Sequence, residues 1–201
     1  MRLSVTSLRD ATGRVSGFLG IGSDITQRKQ AEARVLYLAR FDSLTGLANR
    51  SYFLEKLGEA IARSERSGQP LALMFLDLDH FKKINDTFGH HGGDLVLKEF
   101  ANRLSQSVRA TDTVARLAGD EFVIVLDLSH DEDDASAVAD KIAASMQRPF
   151  DILGGQHRVS ACMGIAVRRP GETDPEAFLR RADAVLYRTK SAGRGSYLIE
   201  R

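Results

Sequence analysis

Cysteine, long apolar runs and an excess of either charge are all scarce in this chain. Cys162 is the one cysteine in 201 residues, so no intrachain disulfide can form, which fits a reducing compartment. The longest apolar run, Leu71 to Leu76, is far shorter than the roughly 20 residues a membrane-spanning helix needs, so no membrane segment is expected in this chain. Arg2 and Arg9 are followed by no apolar h-region, so the N-terminus does not read as a signal peptide. A cytoplasmic location is expected, and a longer parent protein could still be attached to a membrane. Lysine and arginine number 28 against 27 aspartates and glutamates, a net charge of +1. That balance argues against a broad basic surface for gripping nucleic acid, but leaves room for a local basic pocket around one phosphate chain.

Hydrophobic residues make up 43% and charged residues 27%, enough for one large domain, or one domain with an appendage, that buries its own core. The first 40 or so residues differ from the rest. Leu3 to Leu8 alternates apolar and polar, Asp10-Ala-Thr-Gly13 reads as a turn, and Val15 to Ile21 reads as a second strand. The resulting hairpin is marginal alone and needs something to pack on. Asp24 and Thr26 are N-cap residues for a polar helix, about Gln27 to Arg40, with Ala31, Val35 and Leu38 on one narrow stripe. Either a solvated linker helix or a helix pairing with one partner fits that stripe.

From Phe41 onward helices and strands alternate. Helices are expected over Tyr52–Ser67 (closed by Gly68 and Pro70), Phe81–Phe88, Asp94–Val108, Ala135–Gln147 and Pro175–Ser191. Leu71–Leu78 is continuously apolar, as a strand buried on both faces would be. Thr113–Arg116 and Phe122–Leu126 are strands around a tight turn. Phe150–Leu153 and Arg158–Val167 form an expected hairpin about Gly154-Gly155, and Tyr197–Ile199 is the last strand. The expected fold class is α/β (α+β): a central mixed sheet covered by helices, with loops carrying the chemistry. Cys162, inside an apolar strand, reads as core filler rather than a nucleophile.

Three features could carry chemistry. Asp77-Leu78-Asp79 ends the buried strand, where a carboxylate is costly unless paired or bound to a cation. Asp77 and Asp79 are expected to point to opposite faces of the strand and so not to grip one ion side by side; one carboxylate plus a backbone carbonyl is the easier geometry. Ala118-Gly119-Asp120-Glu121-Phe122 is a turn in which Gly119 permits a positive φ and two carboxylates sit at the tip. If that tip lies beside the end of the Asp77 strand, the carboxylates form a magnesium site suited to phosphoryl or nucleotidyl chemistry. Lys82, Lys190 and Arg194 lie near element ends, where they either hold phosphate oxygens or remain solvated surface charges. The acidic run Asp131-Glu-Asp-Asp134 reads as a helix start favoured by the dipole.

These residues closely resemble the GGDEF family of diguanylate cyclases over about residues 38 to 200. The motifs stand in the family's order: Asp42-Ser-Leu-Thr-Gly-Leu-Ala-Asn-Arg50, Asp77-Leu-Asp-His-Phe-Lys-Lys-Ile-Asn-Asp86, Gly89-His-His-Gly-Gly-Asp94, Arg116-Leu-Ala-Gly-Asp-Glu-Phe122, Ala182-Asp-Ala-Val-Leu-Tyr-Arg-Thr-Lys190 and Gly193-Arg194. The resemblance implies a nucleotidyl-cyclase, palm-like fold. It implies that two GTP molecules are joined into cyclic di-GMP with release of pyrophosphate. Magnesium, with manganese as the alternative ion, would be held by Asp77, the carbonyl of Leu78 and Asp120. Glu121 would be a further metal ligand or the base for the attacking 3′-hydroxyl. Asn85 and Asp94 would read the guanine edge, His90 and Gly119 would line the site, and Lys82, Lys190 and Arg194 would hold phosphates. Each subunit would bind one GTP, so a symmetric homodimer belongs to the implied mechanism.

Arg109-Ala-Thr-Asp112 matches the family's Arg-x-x-Asp inhibitory site for the product; a salt bridge or a loop cap at the end of the preceding helix is the alternative reading of those four residues. Residues 1–25 resemble the end of a PAS sensor domain and 26–40 its signalling helix, leaving 41–201 as the cyclase domain. Ala118 stands where the family usually has glycine, which is expected to disfavour a positive φ there, and Gly195 where asparagine is frequent.

Overall fold

The computed structural model describes residues 2–128 and 133–201, so Asp131 and Glu132 of the acidic run lie outside the described residues. The chain divides into two compact units, Met1–Ala39 and Arg40–Arg201. In the first, β1 (Arg2–Arg9) and β2 (Val15–Ser23) pair antiparallel, as the alternation suggested. The turn is built on Asp10, whose Oδ1 accepts from the Thr12 hydroxyl at 2.6 Å and backbone N–H at 2.8 Å, with Gly13 at a φ of 82°. Helix α1 (Thr26–Arg40) follows, its Thr26 N–H donated to Asp24.

The second unit is built on one mixed sheet of five strands. These are β3 (Leu71–Leu78), β4 (Thr113–Ala118), β5 (Glu121–Asp127), β8 (Ala161–Val167) and β9 (Tyr197–Glu200), in the order β4-β5-β3-β8-β9. The central strand β3 is antiparallel to both neighbours, and β8 and β9 are parallel. Apolar residues on both sides of β3 explain its position, because both faces of the sheet are covered. On one face Ala72, Met74 and Leu76 pack with α3 (Phe81–Ser107) and α4 (Asp133–Met146). On the other, Leu71, Leu73 and Phe75 pack with α2 (Arg50–Ser67) and α5 (Pro175–Ala192). Phe53, Phe100, Phe122 and Phe178 are wholly buried, each stabilising by roughly 1.5–3 kcal/mol.

Local chemistry sets the helix ends. The Asn49 side chain accepts the Tyr52 N–H at the start of α2, and Gly68 at a φ of 70° closes it. Asp174 caps α5, with Pro175 at its first position. Gly164 lets α5 lie directly on β8, since a methyl there would overlap the backbone of Leu186. The contact fixes the height of α5 and hence the reach of its last turn.

Two expectations change. The Phe150–Leu153 strand does not pair with the long strand that follows. It pairs as β6 (Phe150–Ile152) with a short β7 (Gly155–His157), and the turn is Leu153-Gly154, both left-handed, with φ of 54° and 85°. The two helices expected over 81–108 run as α3 across a bend at Gly89, whose φ and ψ are 69° and 174°. Its second half starts at His90 rather than Asp94.

Candidate active site

Asp77 continues the Leu71, Leu73, Phe75 row and so falls on the α5 side of the sheet. Its partner across the β3–β5 ladder is Glu121, the first residue after the turn. Asp120 lies at the tip of that turn, where Gly119 takes a φ of 49°. The Lys190 ammonium, on the last turn of α5, lies 2.8 Å from Asp77 Oδ1. Two strand ends and one helix end therefore gather Asp77, Asp120, Glu121 and Lys190, as the sequence suggested.

Two carboxyls of this group are held above their ordinary values. Burial, then the nearby charge of Asp77, pushes the Asp120 carboxyl above its ordinary value. Glu121 is likewise raised, by burial and then by Asp183, Asp77 and Asp120, with Lys190 opposing. Asp183 lies on the exposed side of α5. Its effect on Glu121 is visible only once α5 is laid on the sheet. The donor set therefore fits a hard divalent cation, which prefers oxygen ligands. Among the described residues no three His, Cys, Asp or Glu side chains are gathered closely enough to hold an ion by themselves.

Asp79 behaves differently from Asp77. Residues two apart share a strand face, so alternation does not separate them. What separates them is the end of β3 at Leu78: the Asp79 carboxylate is filled by Ser160, Cys162 and the backbone N–H of Gly195. Cys162 is wholly buried, and burial, then its bond to Asp79, raises its thiol pKa, so the core reading holds.

The signature turn is braced from outside. Arg116 donates through Nε to the Gly119 carbonyl at 2.9 Å and through Nη1 to Asp42 Oδ1 at 3.0 Å. Burial opposes ionisation of Asp42, but the Thr45 hydroxyl and N–H and the Arg116 guanidinium outweigh it and hold the carboxyl below its ordinary range. The Arg116 N–H also donates to the Ala48 carbonyl, tying the 42–50 loop to β4. Ala118 lies beside a bulge in the β4–β5 ladder. The backbone cost expected of it does not arise: only His80 and Leu153 among the described non-glycine residues have positive φ.

The Gly89 bend turns the two halves of α3 toward each other. A methyl at Gly92 would overlap the Phe88 side chain, and one at Gly93 would overlap Asn85 Oδ1. Asn85 thus packs against Gly93, the residue preceding Asp94. His90 is exposed just past the bend, and Lys82 is exposed on the first turn of α3. Arg194, exposed on the turn after α5, meets the His80 ring.

Arg109 and Asp112 stand at the other end of β4, about 20 Å of extended chain from Gly119. Asp112 Oδ2 accepts the Arg109 N–H at 2.8 Å, so the loop-closing alternative is realised in the backbone. The Arg109 guanidinium is 62% exposed and lies 4.0 Å from Asp134. Burial is the main reason the Asp112 carboxyl is raised. A cavity of about 330 Å³ opens between these residues, Phe41, Tyr52 and Lys56.

Known proteins resemble this chain in sequence and fold. A GGDEF solved structure from TpbB (YfiN) of Pseudomonas aeruginosa superposes with a TM-score of 0.77 at 40% identity, covering 80% of this chain and 94% of that one. The coiled coil and GGDEF domain of DgcB from Caulobacter crescentus, in complex with c-di-GMP, gives 0.78 at 29% identity, covering 88% and 93%. The bifunctional diguanylate cyclase/cyclic di-GMP phosphodiesterase MucR of P. aeruginosa is 40% identical over 86% of this chain and 25% of its own length. The response regulator PleD of Caulobacter vibrioides is 42% identical over 80% and 36%. The chain thus spans between a quarter and somewhat over a third of these curated relatives. Residues 39–196 match the family model described as Diguanylate cyclase, GGDEF domain, and the chain belongs to that family.

Proposed function

We propose that this chain is a diguanylate cyclase that joins two GTP molecules into cyclic di-GMP and releases two pyrophosphates. The observation that carries the reading is the placing of Asp77 opposite Glu121, with Asp120 at the turn and Lys190 on Asp77. Asp77, Asp120 and the Leu78 carbonyl would hold magnesium, with manganese as the alternative, and the ion would supply neutralisation of charge on the triphosphate. Lys82, Lys190 and Arg194 hold phosphate oxygens, while Asn85 and Asp94 read the guanine edge, which offers both donors and an acceptor. His90 and Gly119 line the pocket.

Glu121 takes the proton of the attacking 3′-hydroxyl, a role its raised proton affinity suits. The 3′-oxygen forms a bond to the α-phosphorus of the other GTP, the bond from that phosphorus to the bridging oxygen breaks, and pyrophosphate leaves. Two such transfers close the ring. Each subunit holds one GTP, so two copies face each other as a homodimer, and alignment of the two nucleotides supplies much of the rate.

Arg109 and Asp112 bind the product and inhibit, in the cavity beside Phe41 and Tyr52. Residues 1–25 are the end of a PAS sensor domain and 26–40 a signalling helix. Its exposed Val35 and Leu38 pair with a second copy. The protein acts in the cytoplasm; among the described residues no helix is long and apolar enough to cross a membrane.

The test is incubation of the purified chain with GTP and magnesium, followed by chromatography. A cyclic di-GMP peak that vanishes with chelator, and whose specific rate grows with protein concentration, supports the proposal. A folded dimer that makes none overturns it.

A further inference from the structure

We infer that Asp79 is a positioning residue for the phosphate cations: its buried carboxylate fixes the turn after α5 so that Arg194 faces the nucleotide. The inference rests on the nucleotide reading above and deepens it. Asp79 is 8% exposed. Its Oδ2 accepts from the Ser160 hydroxyl at 2.6 Å and from the Gly195 N–H at 3.0 Å, and its Oδ1 accepts from the Cys162 thiol at 3.2 Å. The Asp79 N–H donates to the Ser160 carbonyl at 2.8 Å. One side chain thus joins the end of β3, the entry to β8 and the turn between α5 and β9.

A buried carboxylate is an expensive way to fill space, and an apolar side chain would do so at lower cost. What the carboxylate adds here is a fixed backbone position on each side of a functional residue. Gly195 is held by Asp79, and the Gly193 carbonyl accepts from the Ser196 hydroxyl at 2.6 Å and more weakly from the Cys162 thiol. Arg194 lies between these two anchored residues and points to His80. His80 follows Asp79 directly and takes a left-handed φ of 59°, a conformation held by its surroundings. Asp79 therefore stands beside both the Arg194 turn and the ring that Arg194 meets. Asp77, two residues earlier, faces Lys190. The end of β3 sets the carboxylate side of the site and the cation side against one another.

The test measures binding of a GTP analogue with a methylene bridge between its α- and β-phosphates, and of guanosine, to the full chain with magnesium. Asp79→Ala should weaken the analogue about tenfold, the loss expected when a hydrogen bond to a charged group is removed, and leave guanosine unchanged. In an Arg194→Ala background Asp79→Ala should add nothing. Asp79→Asn should restore most of the affinity, since its carbonyl oxygen can still accept from both Ser160 and Gly195. If Asp79→Ala does not fold, Asp79→Ser, whose hydroxyl is too short to hold Gly195 but leaves room for water, carries the same expectation. Equal loss of guanosine and analogue, or full additivity with Arg194→Ala, overturns the role of Asp79. A wild-type chain that binds neither ligand overturns the nucleotide reading and this inference together.

Discussion

Lys190 Nζ lies 2.8 Å from Asp77 Oδ1, joining the last turn of α5 to the end of the central strand. The pair is part of a larger balance, because the same ammonium also lowers the proton affinity of Asp120 and Glu121. It partly offsets the crowded carboxylates, and under the proposed function it would turn to phosphate when nucleotide binds. Lys190→Met removes both functions. Turnover of GTP should fall about 100-fold, the scale on which a charge-stabilising donor acts. Steady-state kinetics check this, and a rate within twofold of wild type would remove Lys190 from the site.

The raised carboxyls give a pH signature in the metal-free chain. A folded state that binds a proton more tightly than the unfolded state loses stability as pH rises from the unfolded pKa, about 4, through the folded one. The cost of Asp120 and Glu121 is therefore absent in acid and fully present above their raised values. Asp120→Asn removes one such charge. It should melt higher than wild type at pH 8 without metal, with the gap closing toward pH 3.5, and it should lose turnover. Thermal unfolding across pH in chelator is the measurement. A variant that melts lower than wild type at pH 8 would contradict the electrostatic account.

Arg116 is the brace between the 42–50 loop and the signature turn, with 12% of its side chain exposed. Arg116→Met leaves Asp42 without its guanidinium and Gly119 without its donor. The expected loss is about 2 kcal/mol of stability, or about 6 °C in Tm, together with reduced turnover. Calorimetry and kinetics on one preparation test it. An unchanged Tm would mean that the turn holds itself.

Much of this was legible from residue pattern alone, and the exceptions have identifiable physical causes. The apolar run of β3 marks a central strand, but because both its faces are apolar it does not say which residues look toward α5. The stretch from Arg158 reads as one long strand, yet β8 begins only at Ala161. The Ser160 hydroxyl and carbonyl are bonded to Asp79 instead of a strand partner. The second helix is expected to start at Asp94, after Gly92 and Gly93. In the fold they are close contacts with Phe88 and Asn85, so the helix runs through them. Asp79, Asp183 and the Asp42–Arg116 brace act through partners far away in sequence, and no local pattern shows such pairs. The gathering of Asp77, Asp120, Glu121 and Lys190 is legible because their motifs mark element ends, and the sheet brings those ends together.

The Arg109 loop separates two roles that share four residues. Its closure uses the Arg109 backbone N–H, which donates to Asp112 Oδ2 at 2.8 Å. Arg109→Ala therefore keeps the loop while removing the exposed cation that would grip product. Added cyclic di-GMP should slow the wild-type chain and slow Arg109→Ala much less, with a half-inhibiting concentration at least about tenfold higher, the scale of a lost charge-assisted contact. Asp112→Ala should relieve inhibition too, but with a lower Tm, because it also frees the N–H it capped. Initial rates at several product concentrations, alongside melting curves, separate the two. If both variants remain as sensitive to product as wild type, the Arg109–Asp112 turn is a loop closure and nothing more.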